Sequence, residues 1–157
     1  MQHNENQRLQ TAVSIGIPLA VGGLSAWINA GHFDLSDLIQ PSFAPPAALF
    51  PIVWTVLYVL MGLSSARVYR SGSAERTDAL FIYAVQLAVN LLWSVFFFRY
   101  RALLLSLFWL VFLLLLVLLT AVRFERCSPG AGKLQIPYIV WLCFAGCLNL
   151  ALWLLNR

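Results

Sequence analysis

The chain has 157 residues, 61% of them hydrophobic and only 10% charged. Soluble domains carry about 25% charged residues, so this composition excludes water as the main solvent. It also leaves no room for a separate soluble domain, because five spans of about 20 apolar residues, each enough for a ~30 Å hydrocarbon core, use up the chain. The net charge of +4 does not mark a nucleic-acid partner: all ten Lys and Arg fall in loops or termini, the flanking pattern of a membrane protein. Three cysteines are an odd number and cannot form a complete disulfide framework.

Residues 1–10 (MQHNENQRLQ) read as a polar, frayed lead-in, and the first span as 11–29. A cleaved signal peptide also has a polar head and an apolar run. Here the head has only Arg8, balanced by Glu5, and the run is long and contains Pro18, Gly22 and Gly23, so a retained helix is expected. Residues 30–46 form a loop with Asp34 and Asp37 and no basic residue, closed by Pro45-Pro46, where proline suits a helix start. The second span covers 47–67 and the third, uncharged, 79–98. Arg99-Tyr100-Arg101 is a turn so short that the third and fourth helices must be antiparallel neighbours. The fourth span covers 102–122, and after the loop RFERCSPGAGK the fifth covers 134–156. The expected fold is an all-α, five-helix transmembrane bundle forming one domain over residues 1–157.

Five spans put the termini on opposite sides. The N-terminus and the second and fourth loops hold seven basic residues (Arg8, Arg67, Arg70, Arg76, Arg123, Arg126, Lys133). The other side holds Arg99, Arg101 and Arg157. The positive-inside rule then predicts a cytoplasmic N-terminus and an outside first loop.

Apart from Arg67, the last residue of the second, none of the spans contains Asp, Glu, Lys, Arg or His. Ion-coupled pumps place ionisable groups at membrane depth, and hydrolases and zinc enzymes need a nucleophile with its base or a ligand set. His3 and His32 lie outside the spans without metal-like spacing, so no catalytic or metal residue is assigned. What the spans carry is aromatic and neutral-polar. Trp54, Tyr58, Met61 and Ser65 share a helical face, as do Gln86, Asn90, Trp93 and Phe97, and Tyr138, Trp141, Ala145 and Asn149. In lipid an amide needs a partner inside the protein, so these faces should point into the bundle. Periodicity alone suits two outcomes: a packed core linked by amides, or a binding site with aromatic walls and a few orienting polar groups. Trp27 and Trp153 suit interfacial anchors, and Trp109 reads as facing lipid. Ala12, Gly16, Ala20 and Gly23 make a stripe for close helix approach. Ala84 and Ala88, opposite Asn90, suit either a subunit interface or internal packing. Cys127 falls in a loop, and Cys143 and Cys147 read as small core residues.

Three stretches resemble a known family. Pro41-Ser42-Phe43-Ala44-Pro45-Pro46, then Phe50-Pro51-Ile52-Val53-Trp54-Thr55-Val56-Leu57-Tyr58, looks like P-x-W-x-P-P followed by F-P-x-x-W-x-x-L-Y of the translocator protein / tryptophan-rich sensory protein (TspO/MBR) family. Gln86 to Ser94 resembles its Q-x-x-x-N-x-x-W-[ST] motif. Pro137-Tyr138-Ile139-Val140-Trp141, with Asn149 downstream, resembles its P-Y-x-x-W and N. The resemblance runs from about residue 11 to 156.

It implies a five-helix bundle, often homodimeric, that binds tetrapyrroles such as protoporphyrin IX and haem as ligands, with no cofactor required. Relatives also bind benzodiazepine- and isoquinoline-type compounds, and some bind cholesterol. Carried over, the ligand site comprises Trp54, Tyr58, Gln86, Asn90, Trp93, Tyr138, Trp141 and Ala145, with Phe43 from the first loop. The implied role is a membrane receptor or sensor that binds porphyrins to regulate tetrapyrrole or stress metabolism, with their transport as a further implied role. Partners would be a flat apolar small molecule, the lipid bilayer and a second copy of the chain, the last through Ala84 and Ala88. Two alternatives stand beside it: an enzyme for light-dependent porphyrin breakdown, and a structural membrane protein without a specific ligand. The family's first-loop tryptophan is Phe43 here and the one often before it is Ser42, which argues against breakdown chemistry. After Tyr138 the next basic residue is Arg157, too distant for the animal sterol motif; Lys133 to Val140 fits only its weak reversed form.

Overall fold

Five helices long and apolar enough to span a bilayer stand side by side in the computed structural model, which describes residues 2–157, with side chains from Asn4 onward. Met1 and the side chains of Gln2 and His3 lie outside the described residues, and with them the reading of His3. The helices are α1 (Gln2–Ile28), α2 (Leu49–Arg70), α3 (Arg76–Ser94), α4 (Leu103–Cys127) and α5 (Ile136–Leu155). Even α3, with 19 residues, is about 29 Å long at 1.5 Å per residue, close to the thickness of a hydrocarbon core.

The lead-in expected to fray is helical: α1 begins at Gln2, not Thr11. Glu5 in its first turn complements the helix dipole, and the Thr11 hydroxyl donates to the Gln7 carbonyl at 2.9 Å. The other span boundaries fall within a few residues of those predicted. After α3 the chain widens into a π-turn over Val95–Arg99, with the Tyr100 N–H on the Val95 carbonyl at 3.1 Å. Arg101 then takes φ +50, a left-handed conformation that a non-glycine residue holds only when its surroundings enforce it. Its guanidinium bonds the Asp37 carboxylate and the Asp34 carbonyl. This reversal makes α3 and α4 adjacent and antiparallel.

The α4–α5 loop folds back onto the bundle. Glu125 accepts from the N–H groups of Gly130 and Gly132, both at 3.0 Å, and the Ser64 hydroxyl of α2 donates to the Ala131 carbonyl at 2.7 Å. Around the bundle, α1 packs on α2 and α3, α3 on α4, and α4 on α5. The backbone ring closes from α5 back to α2 through the short 3-10 turn Gly132–Gln135, while α2 and α5 themselves meet through large side chains rather than by close backbone approach.

Several facings differ from those expected. Ala12, Gly16, Ala20 and Gly23 are all exposed, and an added methyl group at Gly16 or Gly23 would meet nothing. The close approaches are made by their neighbours. At Gly22 an added Cβ would lie 2.5 Å from the Tyr58 ring, and at Gly62 it would lie 2.4 Å from the Ile15 Cα. One residue is about 100° of helix, so a stripe misplaced by one position points to lipid. Ala84 and Ala88 also face outward, unpacked within the monomer. Cys143 and Cys147 are exposed and Cys127, the last residue of α4, is buried, the reverse of the expected placement. Lipid tails are as apolar as leucine, so a thiol on an apolar helix marks neither face. Trp109 does not simply face lipid: half-buried, it donates its indole N–H to the Val89 carbonyl at 2.8 Å and ties α4 to α3. Trp27 is 76% exposed, as an anchor requires, and Trp153 lies under the Arg157 guanidinium.

Candidate functional site

The three aromatic faces meet inside the bundle. From α2, Trp54 lies 5.5 Å from Tyr58 between ring centres, 6.2 Å from Trp93 of α3 and 5.9 Å from Tyr138 of α5. Trp93 in turn stacks on Phe97 at 5.3 Å. Such centre-to-centre spacings are those of interacting aromatic pairs. Each residue arrives here because its helix places it on the inward stripe; Tyr58, Asn90, Trp93, Tyr138 and Ala145 are all buried.

Asn90 is the polar centre. Its Oδ1 accepts from the Tyr58 hydroxyl at 3.0 Å and its Nδ2 donates to the Tyr138 hydroxyl oxygen at 2.5 Å. One carboxamide thus joins α2, α3 and α5 without any charge, the arrangement that a medium hostile to ions permits. Gln86, one turn away on α3, is fully buried, and neither its Oε1 nor its Nε2 has a protein partner. The indole N–H groups of Trp93 and Trp141 are likewise buried and unpartnered. An unsatisfied buried polar group costs about 1–3 kcal/mol, which a ligand offering acceptors would relieve.

Two predicted residues sit apart from this cluster. Trp141 packs against Phe50 at 5.7 Å and Phe144 at 5.4 Å, beside the Trp54 group rather than within it. Phe43 is 50% exposed and meets Phe144 edge-on at 6.5 Å, so this residue stands at the rim of the cluster and not in its wall. Ala145 lies in the adjoining cluster with Trp93, Phe97 and Leu148. Sequence reasoning missed Phe50 and Phe144, although Phe144 follows Trp141 by three positions on the same helix side. It also missed a polar knot between α1 and α3: the Ser25 hydroxyl donates to the Ser94 hydroxyl oxygen at 2.8 Å, and Asn29 Nδ2 donates to the same oxygen at 3.0 Å. Among the described residues, no three His, Cys, Asp or Glu converge as metal ligands.

At the α2–α5 seam the bundle surface carries a groove of about 470 Å³, lined by Ile52, Val56 and Leu57 on one side and Val140, Trp141 and Phe144 on the other. It lies beside the aromatic cluster, on the side where Trp141 packs on Phe50 and Phe144.

The sequence profile of the TspO/MBR family matches residues 14–154. The chain is 37% identical over 154 residues to the tryptophan-rich protein TspO of Chlorobaculum tepidum, covering 96% of this chain and 98% of that one. It is 37% identical over 121 residues to the tryptophan-rich sensory protein of Cereibacter sphaeroides, covering 76% and 75%. It is 36% identical over 152 residues to the translocator protein of Sus scrofa, covering 93% and 90%. With five apolar helices of spanning length and a match across nearly the whole of them, the chain is an integral, multi-pass membrane protein and belongs to the TspO/MBR family.

Proposed function

We propose that the protein is a membrane receptor or sensor for a flat tetrapyrrole, protoporphyrin IX or haem, held between α2, α3 and α5, through which it regulates tetrapyrrole or stress metabolism. The observation that carries this reading is the group of Trp54, Tyr58, Trp93 and Tyr138 around the single carboxamide of Asn90. Unpartnered Gln86 and indole N–H groups beside it offer hydrogen bonds to a ligand's polar atoms. The names of the relatives, a sensory protein and a translocator protein, agree with ligand recognition in a membrane.

The rings now touch one another, so a ligand must part them and replace ring–ring contacts by ring–ligand contacts. The tetrapyrrole would be gripped by its faces, between the rings of Trp54, Trp93 and Tyr138. Burying an unpaired carboxylate is costly, so propionate groups belong at the first-loop end, where Arg99 and Arg101 stand. The seven-to-three division of basic residues favours a cytoplasmic N-terminus and an outside first loop. The outward-facing Ala84 and Ala88 of α3 are the surface we assign to a homodimer.

The test is quenching of intrinsic tryptophan fluorescence by protoporphyrin IX in detergent, with an apolar compound lacking ring nitrogens as control. Saturable quenching by the porphyrin alone is expected. Equal quenching by both compounds would leave only a packed structural bundle.

A further inference from the structure

The α2–α5 seam differs from the other helix boundaries. It is shut at one end by Gly132–Gln135 packing on α2, with the Ser64–Ala131 bond beside it. At the other end Phe43 of the first loop leans edge-on against Phe144. Between these closures the α2 and α5 backbones stay apart and meet only through large side chains such as Phe50 and Trp141, and the groove on their outer side is open to lipid. Its rims are exposed, with Ile52 at 62%, Val56 at 54% and Val140 at 63%, whereas Leu57 at its floor is 3% exposed. The volume of about 470 Å³ falls within the roughly 300–1,000 Å³ typical of small-molecule sites.

We propose that this groove is a lateral portal through which the flat apolar ligand passes between the lipid phase and the interior site, with the Trp141 indole as its gate. This rests on the tetrapyrrole reading above. Three observations favour a ligand of that class over a lipid acyl chain. The α5 wall is aromatic, formed by Trp141 and Phe144 in contact at 5.4 Å. The Trp141 N–H is buried without an acceptor, which an acyl chain cannot supply and a ring nitrogen or carbonyl can. And the groove wall adjoins the interior site, because Trp141 packs on Phe50, which rests with Trp54 on the cluster of Trp93. An apolar ligand partitions into the bilayer first, so an entrance at bilayer depth spares it a return to water.

The experiment places the full chain in lipid nanodiscs and follows quenching by protoporphyrin IX in stopped flow. Val56→Phe and Val140→Phe add bulk to the groove from exposed positions that the core does not use, and Leu115→Phe does so on the outward face of α4, where Leu115 is 61% exposed. A narrowed path slows entry and exit alike, so both groove variants should lower the association and dissociation rates about ten-fold with Kd unchanged, as for binding limited by a conformational step. Leu115→Phe should change neither rate. Unchanged rates in the groove variants overturn the portal and leave the groove to acyl chains. A changed Kd with an unchanged association rate also overturns it, making the groove part of the site. Equal slowing by Leu115→Phe would show a general effect and overturn it too. Absence of saturable quenching in the unsubstituted protein removes the tetrapyrrole reading itself, and the portal with it.

Discussion

Asn156 grips Ile39 by both ends of its carboxamide, Oδ1 accepting from the Ile39 N–H at 2.8 Å and Nδ2 donating to the Ile39 carbonyl at 3.1 Å. The end of α5 thereby pins the middle of the first loop, and Arg101 pins it a second time through Asp37 and the Asp34 carbonyl. Between these ties Leu35 and Leu38 rest on the cluster of Trp93, Phe97 and Leu152, so the loop closes that end of the bundle over the aromatics.

Asn156→Leu removes both bonds at the Ile39 backbone. With a net worth of about 1 kcal/mol each, their loss should speed hydrogen exchange at the Ile39 amide by about ten-fold or more while exchange in α2 and α3 stays the same. Unchanged protection of Ile39 would mean that Arg101 alone holds the loop.

Gly62→Ala should destabilise the protein and Gly16→Ala should not. The first puts a methyl group 2.4 Å from the Ile15 backbone, which cannot step aside as a side chain can, and the second enters open space. Overpacking of this kind costs about 1–3 kcal/mol. Thermal unfolding in one detergent compares them, and equal midpoints would show that α1 is free to shift.

Asn90→Leu strands the Tyr58 and Tyr138 hydroxyls together. Each buried unpaired group costs about 1–3 kcal/mol, so the variant should unfold at a clearly lower temperature. Adding Tyr58→Phe and Tyr138→Phe should recover much of the loss by removing the stranded groups. No recovery would place the importance of Asn90 elsewhere.

Trp54→Ala and Trp109→Ala separate binding from folding. Trp54 touches three other site rings, and losing a stacking partner worth about 1 kcal/mol should weaken protoporphyrin IX binding about five-fold or more. Trp109 bonds the Val89 carbonyl away from the site, so its loss should lower the unfolding temperature and leave the affinity alone. Equal affinity losses would argue against a site between α2, α3 and α5.

Phe43→Trp tests the chemistry of the rim. An indole is more easily oxidised than a phenyl ring, and at this position it would stand beside Phe144, itself in contact with Trp141. Illumination of the bound porphyrin should bleach it faster in the variant than in the unsubstituted protein. Rapid bleaching already in the unsubstituted protein would favour the enzyme reading over the receptor.

Local composition was enough to determine the five spans and the neighbour relation of α3 and α4, though not where α1 begins, because excluding charge over a bilayer thickness is a property of each segment by itself. It also placed Trp54, Tyr58, Asn90, Trp93 and Tyr138 on inward faces, since an amide or phenol in lipid has nowhere else to find a partner. Only the tertiary structure decided the facing of residues with no such need. Gly22 rather than Gly23 meets a neighbour, Trp109 bridges to α3, and Cys143 and Cys147 turn outward. Core and lipid are equally apolar, so burial leaves no pattern on these positions. The tertiary structure alone also joined Asn156 to Ile39 across 117 positions and kept the α2 and α5 backbones apart. Contacts at such separation depend on how the helices are arranged around the bundle, which no single span encodes.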